Sequence, residues 1–415
     1  MTTRLYYTDP YLQAFDAIVA RVDRTPERLS VILDRTAFYP TSGGQPFDTG
    51  QLGHFRVIEV IDEEDGTIAH VLDQGRRTDQ GPRTDQGPRP LDQGQTVRGL
   101  IDWPRRFDHM QQHTGQHMLS AAIDKLFGVR TVSFHLGAEV STIDVARELS
   151  ASEIAAAESE ANRIVWEDRP VTIRFADADE AARLPLRKES LRGGTLRLID
   201  IESFDLSACG GTHVSRTGGI GIIAVANWER FKGGQRIEFV CGGRALQRFR
   251  ATRDAVTSSI RLLSVLSDDL PAAIQRMQAE AKDQKRAFAG AQEELARFRA
   301  EELAASSEPI GAGRVVLRAI DADANGLKAL ATAVAAKPGS IVVLVSVSRP
   351  VLIVAARSTD VTAASAQQIV SRLTGQFGGR GGGRPELAQA GGLDADPDAV
   401  LTAARDLIAA VSGSV

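Results

Sequence analysis

Two short segments, far apart in the chain, each hold two metal-ligand side chains at the same spacing, so the fold has to bring them together. His113-Thr-Gly-Gln-His117 puts two imidazoles four residues apart, hence on one face of a helix, where both reach a single cation. Far downstream, Cys209-Gly-Gly-Thr-His213 puts a thiolate and an imidazole at the same separation across a glycine turn that lets the backbone fold tightly. Three nitrogens and one sulfur form a ligand set that suits tetrahedral zinc. The two pairs take four side chains from a total of seven histidines and two cysteines. The first pair is not a zinc-protease motif, which needs glutamate directly after its first histidine, where Thr114 stands here. The other cysteine, Cys241, is expected to be a small buried apolar residue and not a fifth ligand. Two cysteines cannot supply a disulfide framework for 415 residues, so the reduced cytosol is the expected compartment.

At about 100 to 200 residues per domain, this length predicts two to four domains. Residues 1–98 read as β-rich: alternating runs such as Leu29 to Leu33 and Phe55 to Val60 lie between glycine, proline and aspartate clusters, the pattern of a small barrel or sandwich. Within them Arg-Thr-Asp-Gln-Gly-Pro-type hexapeptides repeat at 77–82 and 83–88, with a degenerate copy ending near Gly94. With almost no apolar residue they bury nothing and read as an expanded exposed loop. Residues 99–242 are mixed α+β. A helix is predicted from Arg106 to Phe127 with Gly128 as its stop, a second from Ser152 to Trp166 behind a capping pair, and strands at Val171 to Phe175, Thr195 to Ile201 and Ile237 to Cys241.

Residues 243–307 carry two apolar stripes at helical spacing, broken at Ser267 to Pro271. They predict two long helices, folded as a hairpin or paired in a coiled coil with another chain. From 308 to 415 a β/α alternation predicts strands at Val315 to Ile320, Ile341 to Val347 and Val351 to Ala356, with helices at 326–336, 363–373 and 398–411. The run Gly378-Gly-Arg-Gly-Gly-Gly-Arg-Pro385 between two helices reads either as a turn or as backbone and arginines presented to a phosphate. The fold class is therefore α+β multidomain.

A hydrophobic content of 43% with 25% charged residues is that of a globular chain. The N-terminal MTTRLYYTDPYLQAF has no basic segment followed by an apolar one, and no window approaches about 18 uninterrupted apolar residues; neither a secretory signal nor a membrane span is expected. The net charge of -4 supplies no overall basic field, so a nucleic-acid partner has to be held by local patches.

Three motifs in order, Phe38-Tyr-Pro-Thr-Ser-Gly-Gly-Gln-Pro46, His109-Met-Gln-Gln-His-Thr-Gly-Gln-His117 and Phe204-Asp-Leu-Ser-Ala-Cys-Gly-Gly-Thr-His-Val214, resemble the AlaX family of free-standing alanyl-tRNA editing proteins, relatives of the editing region of alanyl-tRNA synthetase. The helical segment and Gly381-Gly-Gly-Arg-Pro-Glu-Leu-Ala-Gln-Ala-Gly-Gly392 are similar to the synthetase's C-terminal region, which makes the chain look like the long form of the family. The resemblance implies hydrolysis of the ester joining serine, with glycine as a second candidate, to alanine tRNA. A pocket for alanine cannot reject smaller glycine or serine strongly, whereas a second pocket built to hydrogen-bond the serine hydroxyl can refuse alanine. It further implies that 99–242 is a zinc-binding editing domain, with ligands His113, His117, Cys209 and His213.

Four protein ligands make a closed site, so zinc is expected to orient the pocket and the terminal adenosine, with water placed by neighbouring polar groups; a loosely bound Cys209 would allow direct water activation. Gln116 joins the four ligands as a catalytic candidate, because the synthetase branch often carries threonine there. Candidates for serine recognition are Thr36, Thr41, Ser42, Gly43, Gly44, Gln45, Ser133 and His135. Arg105, Arg106, Arg380 and Arg384 are the candidate tRNA contacts, with Arg187, Lys188 and Arg192 as further local basic groups. The partner is mischarged alanine tRNA, with a homodimer through the helical or C-terminal region left open. Two other readings stand beside this one. One is a tRNA-binding or assembly protein that keeps the fold without hydrolysis. The other, suggested by a C-terminal region like that appended to DHH phosphoesterases, needs an Asp-His-His motif and finds only Asp108-His109-Met110. No room or motif for an aminoacylation core is seen.

Overall fold

The computed structural model describes residues 1–25, 28–73, 91–187, 194–310 and 313–412. The duplicated hexapeptides at 77–88 lie outside them, as do Lys188 and Arg192. The chain divides into two units, Met1–Ser258 and Ser259–Val415.

The first unit opens on a short parallel pair, β1 (Thr3–Arg4) with β4 (Arg35–Thr36), beside a closed barrel. The barrel is formed by β2 (Ala14–Arg24), β3 (Leu29–Leu33), β5 (Gly50–Leu52), β6 (Phe55–Asp62), β7 (Ile68–Leu72) and β8 (Thr96–Ile101), in the order β2-β3-β7-β6-β5-β8. In β8 the alternation is complete, with Val97, Gly99 and Ile101 inward and their neighbours outward, as a half-buried strand requires. Closure removes the free edges that so small a sheet would otherwise expose.

The helix α1 (Trp103–Phe127) follows, with Pro104 in its first turn and Gly128 as a left-handed stop at φ 63°. Its apolar residues Met110, Met118, Leu119 and Ile123 pack with Ile154, Ala157, Ala161 and Ile164 of α2 (Ala151–Trp166). The capping pair of α2 is a full capping box: Ser150 accepts from the Glu153 N–H, and the Glu153 side chain reaches back to the Ser150 N–H. Around them lie a four-stranded sheet and a three-stranded one. The first runs β14 (Ile223–Phe231), β15 (Gly234–Cys241), β10 (Ser141–Val145), β9 (Thr131–Leu136); the second runs β11 (Val171–Ala176), β12 (Leu196–Ile201), β13 (Asp205–Ala208), with the single turn α3 (Ala178–Ala181) beside it. The middle of α1 buries Gln112, His113, Thr114, Gln116 and His117 as well as its apolar residues. Burying that many polar groups is costly unless each finds a partner, which marks α1 as the helix of a site.

The two predicted long helices are α4 (Gly242–Leu263), in which the division between the units falls, and α5 (Leu270–Ala305). Much of their apolar stripes is exposed, including Leu246, Phe249, Phe288, Leu295 and Phe298. In the second unit Ala296 and Ala300 of α5 pack with Leu327, Leu330 and Val334 of α6 (Ala324–Ala335). That unit has a six-stranded sheet in the order β16 (Glu308–Ile310), β17 (Gly313–Ile320), β18 (Ser340–Ser346), β19 (Val351–Arg357), β21 (Leu387–Leu393), β20 (Arg380–Arg384), with α7 (Ala366–Phe377) and α8 (Pro397–Ser412). The middle of the glycine run, Arg380 to Arg384, is therefore not a turn but an edge strand. Gly381 and Gly383 let β21 approach so closely that a Cβ at either would stand 2.4 Å from the Cα of Ala390 or Ala388. Among the described residues no helix is long and apolar enough to cross a membrane.

Candidate metal centre

His113 and His117 project from one face of α1, their ring centroids 5.4 Å apart. The third and fourth ligands arrive on the strand after β12. Alternation puts Asp205, Ser207 and Cys209 on one face, and the chain then turns through Gly210 and Gly211. Gly211 has to be glycine, because a Cβ there would stand 2.2 Å from Cε1 of His113. The turn returns His213 to within 4.5 Å of the His113 ring centroid and 4.7 Å of that of His117. Sγ of Cys209 lies 3.4 Å from Nε2 of His113 and 3.3 Å from Nε2 of His213, and all four ligand atoms lie within 4.8 Å of one another. A tetrahedron built on Zn–S bonds of about 2.3 Å and Zn–N bonds of about 2.0 Å has S–N edges of about 3.5 Å, so the donor set fits a zinc-sized ion. Among the described residues this is the one group of three or more His, Cys, Asp or Glu side chains placed to hold a metal.

Each imidazole is oriented from behind. Nδ1–H of His113 donates to Oε1 of Gln45 at 2.8 Å, that of His117 to Oδ2 of Asp205 at 3.0 Å, and that of His213 to the Thr114 hydroxyl oxygen at 3.2 Å. The Thr114 hydroxyl spends its own proton on the Met110 carbonyl, 2.8 Å away, so its oxygen is free to accept. With all three Nδ1 atoms engaged, the Nε2 lone pairs are left for the ion.

The charges form a chain. Burial would raise the Asp205 carboxyl, but the His117 and Arg187 bonds carry it down to about 2. Burial would lower His117, but its bonds to Asp205 and Cys209 raise it to about 9. Burial would raise the Cys209 thiol, yet His113 and His213 beside it carry it well below its ordinary value. Burial draws His213 down to about 3. His117 therefore holds its proton more firmly than an ordinary imidazole, beside a carboxylate kept ionised.

Several expected site residues lie elsewhere or do something else. Gln45 is fully buried: besides His113 it accepts the Thr212 N–H at 3.1 Å and donates to the Thr212 hydroxyl at 2.8 Å. Thr36 is committed inside the barrel, its hydroxyl 2.8 Å from Nε2 of His70 and accepting the Phe38 N–H. Ser133 donates to Asp144 at 2.5 Å, and strand alternation puts it and exposed His135 on the face of β9 opposite Phe134. Phe134 is the β9 residue that meets the cluster, its ring centroid 5.7 Å from that of His113. The amide nitrogen of Gln116 is bound to Ser120 at 2.9 Å. Thr41, Gly43 and Gly44 are exposed and Ser42 is half-buried, on a turn that needs positive φ at both glycines. A Cβ at Gly44 would meet the Phe134 ring at 2.8 Å.

The basic candidates divide sharply. Arg106 is not a surface group: it is fully buried, paired with Asp48, and donates to the carbonyls of Pro10 at 2.8 Å and Ala37 at 2.5 Å. Arg187 is spent on Asp205, 2.6 Å away. Arg105 is half-buried, its Nε donating to the Phe47 carbonyl, whereas Arg380 and Arg384 are exposed on β20. Asp108, in the nearest approach to an Asp-His-His motif, is paired with Arg244, and Cys241 is buried with its thiol pushed up. The residues against the cluster that spacing did not single out are Asp205, Thr114 and Phe134. Two of them carried a signal: Asp205 keeps strand period with Cys209, and Thr114 lies between the paired histidines.

Comparison with known proteins gives two family matches. Residues 196–238 match the Threonyl and Alanyl tRNA synthetase second additional domain, and residues 312–411 the DHHA1 domain. The chain is 30% identical over 412 residues to the alanyl-tRNA editing protein AlaX-L of Pyrococcus horikoshii, covering 98% of each chain. It is also 32% identical to the alanine–tRNA ligase of Pyrococcus furiosus, over 100% of this chain and 44% of the ligase, and 34% identical to that of Halorubrum lacusprofundi, over 98% and 44%. It thus spans less than half the length of the ligases it matches.

Proposed function

The chain belongs to the family of the alanyl-tRNA editing protein AlaX-L, and from that premise we propose that it is a trans-editing deacylase, hydrolysing the ester of serine, and of glycine as a second substrate, on alanine tRNA. The observation that carries this reading is the cluster of His113, His117, Cys209 and His213 with every imidazole's Nδ1 held away from the centre. The ion is zinc, the donor set being one of thiolate and imidazoles. Bound there, it supplies a fixed positive charge for orienting the ester and its terminal adenosine.

The chain's own groups do the rest. Gly44 offers backbone without a side chain against the Phe134 ring, which a Cβ there would meet, and a small amino acid is the substrate that so close an approach suits. Thr41 and Ser42 are the hydroxyls on that turn available to read serine's own, and Gln116 stands on α1 directly before the ligand His117. Arg105, Arg380 and Arg384 are the tRNA contacts that remain, so binding weakens steeply as salt rises. We retain the partition into barrel (1–98), editing domain (99–242), helical segment (243–307) and C-terminal domain (308–415), and a cytoplasmic location. The test is to present Ser-, Gly- and Ala-charged alanine tRNA and measure release of each amino acid. Serine should leave fastest. Preference for the alanyl ester refutes editing, and tRNA binding with no release above the uncatalysed rate leaves a binding protein instead.

A further inference from the structure

Arg197, on β12, is a cation without an obvious reason to be buried. It is 7% exposed. Its backbone carbonyl accepts the Cys209 N–H at 3.0 Å, so it sits opposite the sulfur ligand. Its Nη1 donates to the Cys209 carbonyl at 2.7 Å and to the Gly211 carbonyl at 2.9 Å, while Nε donates to the Tyr7 carbonyl at 2.9 Å. The guanidinium carbon lies 5.5 Å from the Tyr7 ring centroid. Among the described residues no carboxylate pairs with it, and its Nη2 is buried without a hydrogen-bond partner. Neutral carbonyls compensate a desolvated charge poorly, so the side chain costs stability where it stands. The strongest opposite charge acting on it is the sulfur of Cys209.

We propose that Arg197 is a positioning residue for the metal's sulfur ligand. By taking two carbonyls of the Cys209-Gly210-Gly211 turn on one nitrogen, it folds that turn before any ion arrives, so that Sγ already faces His113 and His213. Two glycines in succession are costly to order, and the guanidinium fork offsets that cost once, in advance. Its fixed charge on the turn that carries the sulfur also limits how much electron density the thiolate gives the ion. The inference rests on the metal reading of the cluster and not on the deacylation itself.

The test uses the full chain, Arg197→Lys and Arg197→Gln, with Arg236→Gln, from an outlying pair with Asp144, as control. Zinc affinity is measured by chelator competition, the sulfur-to-metal charge-transfer band on the cobalt-loaded protein, and the melting midpoint on the metal-free protein. Both Arg197 variants should bind zinc about 10 to 100 times more weakly, as loss of a ligand-orienting partner does. Arg197→Gln should also move the band to lower energy, and Arg197→Lys, which keeps the charge, should move it less. Hydrogen exchange on the unaltered metal-free protein should show residues 209–211 protected already, a result that does not depend on either variant folding. Zinc affinity within twofold of the unaltered chain, a band that does not move, or an unprotected turn overturns the proposal. An unaltered chain that binds no zinc overturns it together with the metal reading, whereas zinc binding without deacylation leaves it standing and removes only the editing function.

Discussion

Replacing Gln45 by alanine tests whether the barrel's glycine-rich turn serves the metal or the substrate. The side chain is fully buried and makes three hydrogen bonds: it accepts from Nδ1–H of His113 at 2.8 Å and from the Thr212 N–H at 3.1 Å, and donates to the Thr212 hydroxyl at 2.8 Å. Alanine leaves two buried N–H donors without an acceptor, each costing about 1–3 kcal/mol, so the chain should lose about 2–6 kcal/mol of stability. His113 also loses the partner that fixes its tautomer, and zinc affinity should fall about 10 to 100-fold. Gln45→Glu keeps an acceptor for both N–H groups, the Thr212 hydroxyl can turn to donate, and the pairing of Asp205 with His117 is reproduced on His113. Its zinc affinity should stay within about tenfold of the parent. Chelator competition and denaturant melts of both variants read these quantities. If Gln45→Ala binds zinc as tightly as the parent and shows only a raised KM for seryl tRNA, the orienting role assigned to Gln45 is wrong and it contacts substrate after all.

Further outcomes follow from the same site. Gly211→Ala, whose Cβ would lie 2.2 Å from the His113 ring, should lose zinc and destabilise the chain by about 1–3 kcal/mol. At Gly210 the nearest atom to an added Cβ is the Tyr7 hydroxyl at 3.5 Å, an ordinary contact, and Gly210→Ala should melt within about 1 kcal/mol of the parent; equal loss in both variants would discount the packing argument. Because the folded-state pKa of His117 is raised to about 9, zinc has to displace its proton, and affinity should climb about tenfold per pH unit up to about 9, then flatten. In the metal-free chain the same group stabilises fully below 6.5, and that contribution disappears as pH rises through about 9. Asp205 works in the opposite sense, its contribution present above 3.8 and lost as pH falls through about 2. A slope of two protons per zinc would show that Cys209 is not ionised beforehand.

What could be read from the residues was what is local. The stop of α1 and the capping box of α2 follow from side chains a few positions apart, and the four ligands follow from two identical spacings; the start of α1, expected at Arg106, lies at Trp103. The glycine strand β20 could not be read, because alternation is a pattern of side chains and Gly381 to Gly383 have none; its partner β21 decides it. The orientation of the imidazoles could not be read either, since Gln45 reaches His113 from a different strand system. Arg106 and Arg187 were expected at the surface because charge is visible in a sequence and burial is not. Asp48 and Asp205, the acids that draw them inward, lie in other elements. Thr36 is a similar case: a hydroxyl in a motif gives no sign that His70 will bond to it.

The buried pair of Asp48 and Arg106 bears on how the chain comes into being. Asp48, on the barrel side, emerges from the ribosome before Arg106, on the helix, and until that guanidinium arrives the carboxylate cannot go inside without a compensating charge. The barrel strands can therefore collapse early but cannot finish. Completion waits for the first turns of α1, the same helix that carries His113 and His117 a few turns further on. The barrel is thus not a module to be cut away or transplanted, and a nascent chain that closes it has, in the same act, begun to lay out its metal ligands.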